Sequence, residues 1–340
     1  MPVTPPADFD AFLRLSARVG GDPLLTQGAG GNTSIKEDGI TWIKASGTWL
    51  AEALDRPIMV PVRTNALIAA LHDDPLSVEN PVEHIVAESN PSGLRPSIET
   101  AFHCLMPQRV VAHYHSVDAM ALLVCADRSA RVAAAMATLP ALRWQMIDYR
   151  RPGAPLAVEI ATRLRPDTDV LFLANHGIIV GADTVDEVSA RIARLNVALA
   201  QPARPLIDAD HHMLAKIAAT TGMIPAIDRL HHSLGTDLVS YAFARAGVLV
   251  PDQAIFLGAS LAFDPADLSC DPALLVIKGA GVLMRPALSA GAVEMAGGVA
   301  ELLRRLPADA ALEPLSASDV NALLNWDAEK YRQSLDRVAS

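Results

Sequence analysis

The sequence predicts an α/β protein built as two units, and three observations predict it. Apolar runs of strand length, at 110–114 and 170–174, break off at polar or glycine-bearing turns. Between and after them lie stretches with helical spacing of apolar residues. A segment with two prolines, 201–205, then interrupts the pattern, and 340 residues exceed one ordinary domain.

The elements follow in chain order. Residues 97–104 read as a helix with Ser97 at the N-cap and Pro96 before it. The run 110–116 is rich in β-branched and aromatic residues and reads as a strand, so His113 and His115 share one face and Tyr114 takes the other. Residues 170–174 form a continuous apolar run of buried-strand type that ends at Asn175 and His176 and breaks at Gly177. Thr184 and Glu187 have the spacing of a capping box, and Val188, Ile192, Leu195 and Leu199 follow at helical intervals. Pro202 and Pro205 cannot continue that helix, which sets the expected boundary between units 1–204 and 205–340.

The second unit reads as a smaller α/β domain. Helical stretches are expected around 213–219 and 238–246, and strand-like runs at 247–250 and 273–277. Residues 250–258 and 276–284 look like two copies of one strand, turn and strand device. Residues 287–303 then carry Val293, Ala296, Val299, Leu302 and Leu303 on a broad apolar stripe, as a helix would.

Composition narrows the function. Hydrophobic residues make up 51% and charged residues 19%, which describes a compact protein with large cores, and aromatics at 4% leave those cores to Ala, Val, Leu and Ile. A formal charge of −10 and a pI near 5.4, with no long Lys/Arg cluster, argue against nucleic acid as a partner. The three cysteines, Cys104, Cys125 and Cys270, have no C-x-x-C partner, so no disulfide framework is expected. No apolar stretch is long enough to span a bilayer and the N-terminus lacks a basic-then-apolar pattern, so a cytoplasmic location without membrane contact is expected.

The chemistry-bearing residues are His113, His115, His176 and Glu99. Three imidazoles and a carboxylate are the ligand set of a divalent metal site, and catalytic zinc typically keeps three protein ligands and an open position. A lone His-x-His is common by chance; its combination with Glu99 and the Asn175–Gly177 turn is what raises the metal reading.

These residues also carry a family resemblance. The succession Gly30 to Ser34, Ala45 to Gly47, Pro96 to Glu99, His113 to His115 and Asn175 to Gly177 resembles the class II aldolase/adducin family across roughly residues 8 to 200. That family includes L-fuculose-1-phosphate and L-rhamnulose-1-phosphate aldolases and L-ribulose-5-phosphate 4-epimerase. The resemblance implies a three-layer α/β/α domain with a mostly antiparallel central sheet. It also implies zinc on His113, His115 and His176, and a homo-oligomer, usually a fourfold tetramer. Longer relatives carry a C-terminal extension, in some a short-chain dehydrogenase. That dehydrogenase is not evident here, because too few residues remain and no glycine fingerprint stands at the right place.

The glycine loop 28–34 has Thr33 where a dinucleotide fingerprint needs its third glycine, and 21–27 is too broken for the preceding strand. Glycines there instead let backbone N–H groups approach an anion. The resemblance places the phosphate pocket at Gly31, Asn32, Ser46, Gly47 and Ser97. Sugar-phosphate aldolases of the family often have two serines before the glutamate, and this chain has Ser97 followed by Ile98. Lys44 can compensate with positive charge, recognise a carboxylate, or stand solvated.

The expected function is therefore a zinc-dependent aldehyde-lyase that cleaves a small ketose phosphate or related hydroxy-keto acid through a metal-stabilised enediolate, with Glu99 as acid/base. The alternatives are a metal-dependent epimerase, dehydratase or decarboxylase on the same scaffold, and a non-catalytic adducin-like interaction module. His103, four residues after Glu99, reads as a packed core histidine rather than a partner of Glu99. Tyr149 stays unassigned, and the pairs His211–His212 and His231–His232 read as surface or capping residues.

Overall fold

The computed structural model describes residues 2–326; Met1 and residues 327–340, the end of the expected second unit, lie outside the described residues. The first unit is organised around a seven-stranded sheet. Its strands are β1 (Asn32–Glu37), β2 (Ile40–Lys44), β3 (Met59–Arg63), β4 (Val110–Tyr114), β5 (Trp144–Ile147), β6 (Val170–Leu173) and β7 (Gly177–Ala182). They lie in the order β3-β2-β1-β4-β7-β6-β5, antiparallel throughout except for the parallel pair β5 and β6. The central strand is β4, with β1 and β7 as its two neighbours.

Helices cover both faces, because strand side chains alternate and each face is apolar. One face sends Ile35, Val110, Ala112, Tyr114, Phe172, Ile178 and Val180 into a large core with four helices: α1 (Phe9–Gly20), α4 (Val117–Leu123), α5 (Arg128–Met136) and α7 (Val185–Leu199). The opposite face sends Val111, Leu171, Leu173 and Ile179 against α3 (Thr100–Leu105) and α6 (Ala154–Arg163), with α2 (Thr64–Asp73) packed beside these two. This is the expected three-layer α/β/α arrangement with a mostly antiparallel sheet. The expected helix after Thr184 is present: the Thr184 hydroxyl accepts from the Glu187 N–H at 3.2 Å, and Val188, Ile192, Leu195 and Leu199 are buried.

After α7 the chain runs without regular structure through residues 200–210 and enters the second unit. This unit holds a small antiparallel sheet of order β8-β10-β9, made of β8 (Ile224–Pro225), β9 (Leu274–Ile277) and β10 (Gly281–Met284). Its helices are α8 (His211–Thr221), α9 (Arg229–Thr236), α10 (Leu238–Ala244), α11 (Pro251–Leu257), α12 (Ala290–Arg305) and α13 (Ala317–Leu324). The β9–β10 hairpin confirms the reading of 276–284. Residues 250–258 do not repeat it: they form α11, because Pro251 stands at the first helical position with its fixed φ, and Gly258 at φ 90° ends the helix. Residues 247–250 are not a strand for the same reason, since they lead into that helix.

Two of the four paired histidines also depart from expectation. His211 and His212 are exposed at the start of α8, but His231 and His232 are buried in α9. The ring of His231 donates from Nε2 to the Val293 carbonyl at 3.2 Å, and His232 Nδ1 accepts from the Val282 N–H at 3.1 Å. Both are interior because α12 and β10 pack against α9.

The two units share a core. Val117, Met120 and Ala121 of α4, with Val124 just after it, belong to one apolar cluster with Ala292, Met295, Ala296, Val299, Ala300, Leu302 and Leu303 of α12. Each buried Val, Leu or Met side chain among them contributes roughly 1.5–3 kcal/mol relative to exposure. Around that seam Arg305 meets Asp118 at 2.9 Å, Arg128 meets Glu313 at 2.6 Å, and the Glu313 N–H donates to the Val124 carbonyl at 2.9 Å. The second unit is thus anchored to the element that directly follows the His113–His115 strand.

Candidate metal centre

Strand β4 ends at Tyr114, with His113 on the α3-facing side of the sheet and His115 just beyond the strand. His176 arrives by way of a hairpin. Strand β6 is not a neighbour of β4; β7 lies between them, and the tight β6–β7 hairpin, with Asn175 at φ 55°, lifts His176 to the end of β4. Gly177 is needed there, because a Cβ at that position would sit 2.7 Å from the Tyr114 carbonyl oxygen and 3.0 Å from the His115 ring.

The three rings form a near-equilateral triangle, with centroids 4.9, 4.9 and 5.1 Å apart. Their metal-ligating nitrogens all lie within 4.8 Å of one another, and all three residues are buried. His113 Nδ1 donates to the Ile178 carbonyl at 3.0 Å, which leaves Nε2 as the nitrogen with a free lone pair, and that atom is 3.1 Å from His115 Nε2. Tetrahedral ligation at a metal–nitrogen distance of about 2.0–2.1 Å calls for nitrogen separations of roughly 3.3 Å. The donor set therefore fits a divalent cation. Burial pushes His113 well below the ordinary imidazole range and His176 down to about 3, which keeps both rings neutral, as ligands must be.

Glu99 faces the same point. Its Oε1 lies 3.4 Å from His176 Nε2 and its Oε2 lies 3.5 Å from His113 Nε2. Oε1 is buried with no hydrogen-bond partner among the described residues, an orphaned oxygen that a cation or a substrate proton would satisfy. The helix here begins later than expected: Glu99, not Ser97, takes the N-cap position of α3, and Ser97 instead accepts the Glu99 N–H at 3.2 Å.

A buried polar chain holds the carboxylate. Asn32, which pairs with His113 across β1 and β4, donates through Nδ2 to Glu99 Oε2 at 2.8 Å and to Ser97 Oγ at 3.1 Å. Its Oδ1 accepts from His103 Nε2, and His103 Nδ1 accepts from Ser34 Oγ at 2.8 Å. His103 is wholly buried, as a core histidine would be, yet it also reaches Glu99 through Asn32. The amide of Asn32 is committed to this chain rather than offered to a ligand.

Gly31, Asn32, Ser46, Gly47 and Ser97 line one pocket together with Glu99, His115 and His176. Gly31 has φ 61°, and a Cβ there would meet the His113 carbonyl oxygen at 2.9 Å, so only glycine lets the loop run this close to β4. Ile98 lines the pocket, as its place directly after Ser97 implies. Lys44 is not solvated: it is 2% exposed and donates from Nζ to the carbonyls of Ala29 at 2.9 Å and Thr48 at 2.7 Å at the pocket wall. Tyr149 is absent from the lining of this pocket, which includes Pro152 instead. One lining residue had no sequence signal at all. Asp252, from α11 of the second unit, reaches the pocket and lies 3.2 Å from His115 Nδ1.

Fold and site together define a class of protein. Residues 14–202 match the Class II Aldolase and Adducin N-terminal domain, more than half of the chain, and the protein belongs to that family. It is 26% identical over 194 residues to the uncharacterized oxidoreductase YuxG of Bacillus subtilis (strain 168), an alignment covering 53% of this chain and 27% of that protein. The chain thus spans about a quarter of the length of that curated relative. Among solved structures, it is similar to the N-terminal class II aldolase domain of a conserved protein from Thermoplasma acidophilum. That match has 23% identity and a TM-score of 0.49 and covers 58% of this chain and 95% of the other. YgbL of Klebsiella pneumoniae, a putative aldolase/epimerase/decarboxylase, aligns at 20% identity with a TM-score of 0.40, over 56% of this chain and 85% of its own. No helix among the described residues is long and apolar enough to cross a membrane.

Proposed function

We propose that this protein is a divalent-metal aldehyde-lyase that cleaves a small ketose phosphate or related hydroxy-keto acid, with zinc as the working metal. The observation that carries the proposal is the convergence of three buried imidazoles and the orphaned Glu99 Oε1 on one point beside the pocket. His113, His115 and His176 hold the cation. When bound, it supplies Lewis acidity toward a substrate carbonyl.

The chain's own residues do the rest. Glu99 is the acid/base: its Oε1 is buried, without a hydrogen-bond partner among the described residues and at the metal side of the pocket, so it takes or returns a proton at the carbon beside the polarised carbonyl. Asn32 fixes that carboxylate by holding Oε2, leaving Oε1 to react. Gly31, Ser46, Gly47 and Ser97 form the pocket wall that receives the anionic end of the substrate, with Lys44 adding positive charge behind it. A net charge of −10 does not steer an anion inward, so these local donors have to supply the attraction. The Ile98 side chain removes one hydroxyl from that wall, which favours a carboxylate or a lightly held phosphate over a tightly cradled one. We further propose the boundary at 204/205 as the limit of the catalytic domain, and a homo-oligomeric, cytoplasmic protein.

A screen of phosphorylated and non-phosphorylated ketoses and hydroxy-keto acids, read by released aldehyde, tests the proposal, with Glu99→Gln as control. Aldehyde release by the wild type and a drop of about 10²–10⁴-fold in the variant is the expected result. Product formation without aldehyde, such as epimer or carbon dioxide, would replace lyase by another reaction on the same site.

A further inference from the structure

We propose that Asp252 is a positioning residue of the metal centre, so that the site is built by both units of the chain rather than by the N-terminal one alone. The inference rests on the metal reading of the site given above. Asp252 is 4% exposed, and its Oδ2 faces His115 Nδ1 at 3.2 Å. The other nitrogen of that ring, Nε2, is the one beside His113 Nε2. A carboxylate at Nδ1 selects the tautomer with the proton on Nδ1 and the lone pair on Nε2, and it stops the ring from flipping. His113 obtains the same service from the Ile178 carbonyl, and Asp252 supplies it for His115.

The surrounding backbone is built for this contact. Residues 248–253 are tied down on both sides: Asn175 Nδ2 donates to the Leu249 carbonyl at 3.0 Å, the Leu249 N–H donates to Gln253 Oε1 at 2.9 Å, and the Leu315 N–H donates to the Val248 carbonyl at 2.8 Å. Asn175 is the neighbour of the ligand His176, and its amide also reaches the Glu313 carbonyl at 2.8 Å. The segment that presents Asp252 is therefore fastened to the hairpin that presents His176. Room for the pair is kept by Gly30, where a Cβ would lie 3.0 Å from both Asp252 Oδ2 and His115 Nδ1. Three separate segments converge on a single carboxylate–imidazole contact.

Cobalt(II) binding by the full-length protein tests this without reference to any substrate. Affinity is read by competition with a chromophoric chelator, and ligand geometry by the cobalt visible spectrum, for wild type, Asp252→Asn and Asp252→Ala. Asp118→Asn, which loosens the Asp118–Arg305 contact at the seam, serves as the control for general loosening. The expected result is one cobalt per wild-type chain, a loss of about 10–100-fold in affinity with a changed spectrum for both Asp252 variants, and a wild-type spectrum for Asp118→Asn. Asp252→Asn keeps the shape of the side chain, so it reports even if Asp252→Ala fails to fold. Wild-type affinity and spectrum in Asp252→Asn would overturn the inference while leaving the lyase proposal standing, as would equal losses in Asp118→Asn. Failure of the wild type itself to bind cobalt would overturn the metal reading instead.

Discussion

Asn32 donates to Glu99 Oε2 over 2.8 Å, and this contact divides the carboxylate into a held oxygen and one without a hydrogen-bond partner among the described residues. The same amide accepts from His103 Nε2, so three buried polar groups depend on one side chain. A buried polar group that loses its partner costs about 1–3 kcal/mol.

Asn32→Ala is therefore expected to lower stability by about 1–3 kcal/mol and to depress kcat more than it raises KM. Urea unfolding and steady-state kinetics measure both. A variant with normal kcat would show that Glu99 holds its position without Asn32.

Gly177→Ala tests the steric basis of the centre. The added methyl would press on the Tyr114 carbonyl and on the His113 and His115 rings, at 2.7, 3.3 and 3.0 Å. The hairpin has to shift, so weaker metal binding and a loss of roughly 1–3 kcal/mol of stability are expected. Unchanged values for both would mean the hairpin gives way freely.

Metal removal should be visible as lost stability. Zinc at about 1,000 times its dissociation constant stabilises a folded protein by about 4 kcal/mol if the unfolded chain does not bind it. Chelator treatment is expected to lower the unfolding midpoint, zinc to restore it, and His176→Ala to abolish the response. Equal melting with and without chelator in the wild type would contradict the proposed site.

The buried imidazoles set a pH dependence for the metal-free protein. Burial holds His103 and His113 well below the ordinary range, and His176 falls from 6.5 to about 3. Above the ordinary value the rings are neutral whether folded or unfolded, so pH has no effect through them. Below it the unfolded chain takes up protons that the folded one refuses, so stability is lost as pH falls toward about 3, by up to about 1.4 kcal/mol per pH unit for each ring. Urea midpoints of chelated protein near neutrality and near pH ~5 measure this, and a flat profile would show the rings accept protons while folded.

Local spacing by itself determined a good deal of this protein. The period of a strand puts His113 and His115 on the same side, a cap and four apolar residues define α7, and two prolines mark the passage between units. These features depend on contacts within a few residues, and a sequence displays them directly. Tertiary structure alone decided the rest. His176 meets the pair only because β7 inserts next to β4, Lys44 is buried only because loop carbonyls surround it, and His231 and His232 are interior only because α12 and β10 cover them. Asp252 is the extreme case: one acid in an apolar run, with nothing nearby to mark it, becomes part of the site when a helix of the second unit docks beside His115. Contacts between segments far apart in the chain are set by which apolar faces pack together, and no local pattern records that choice.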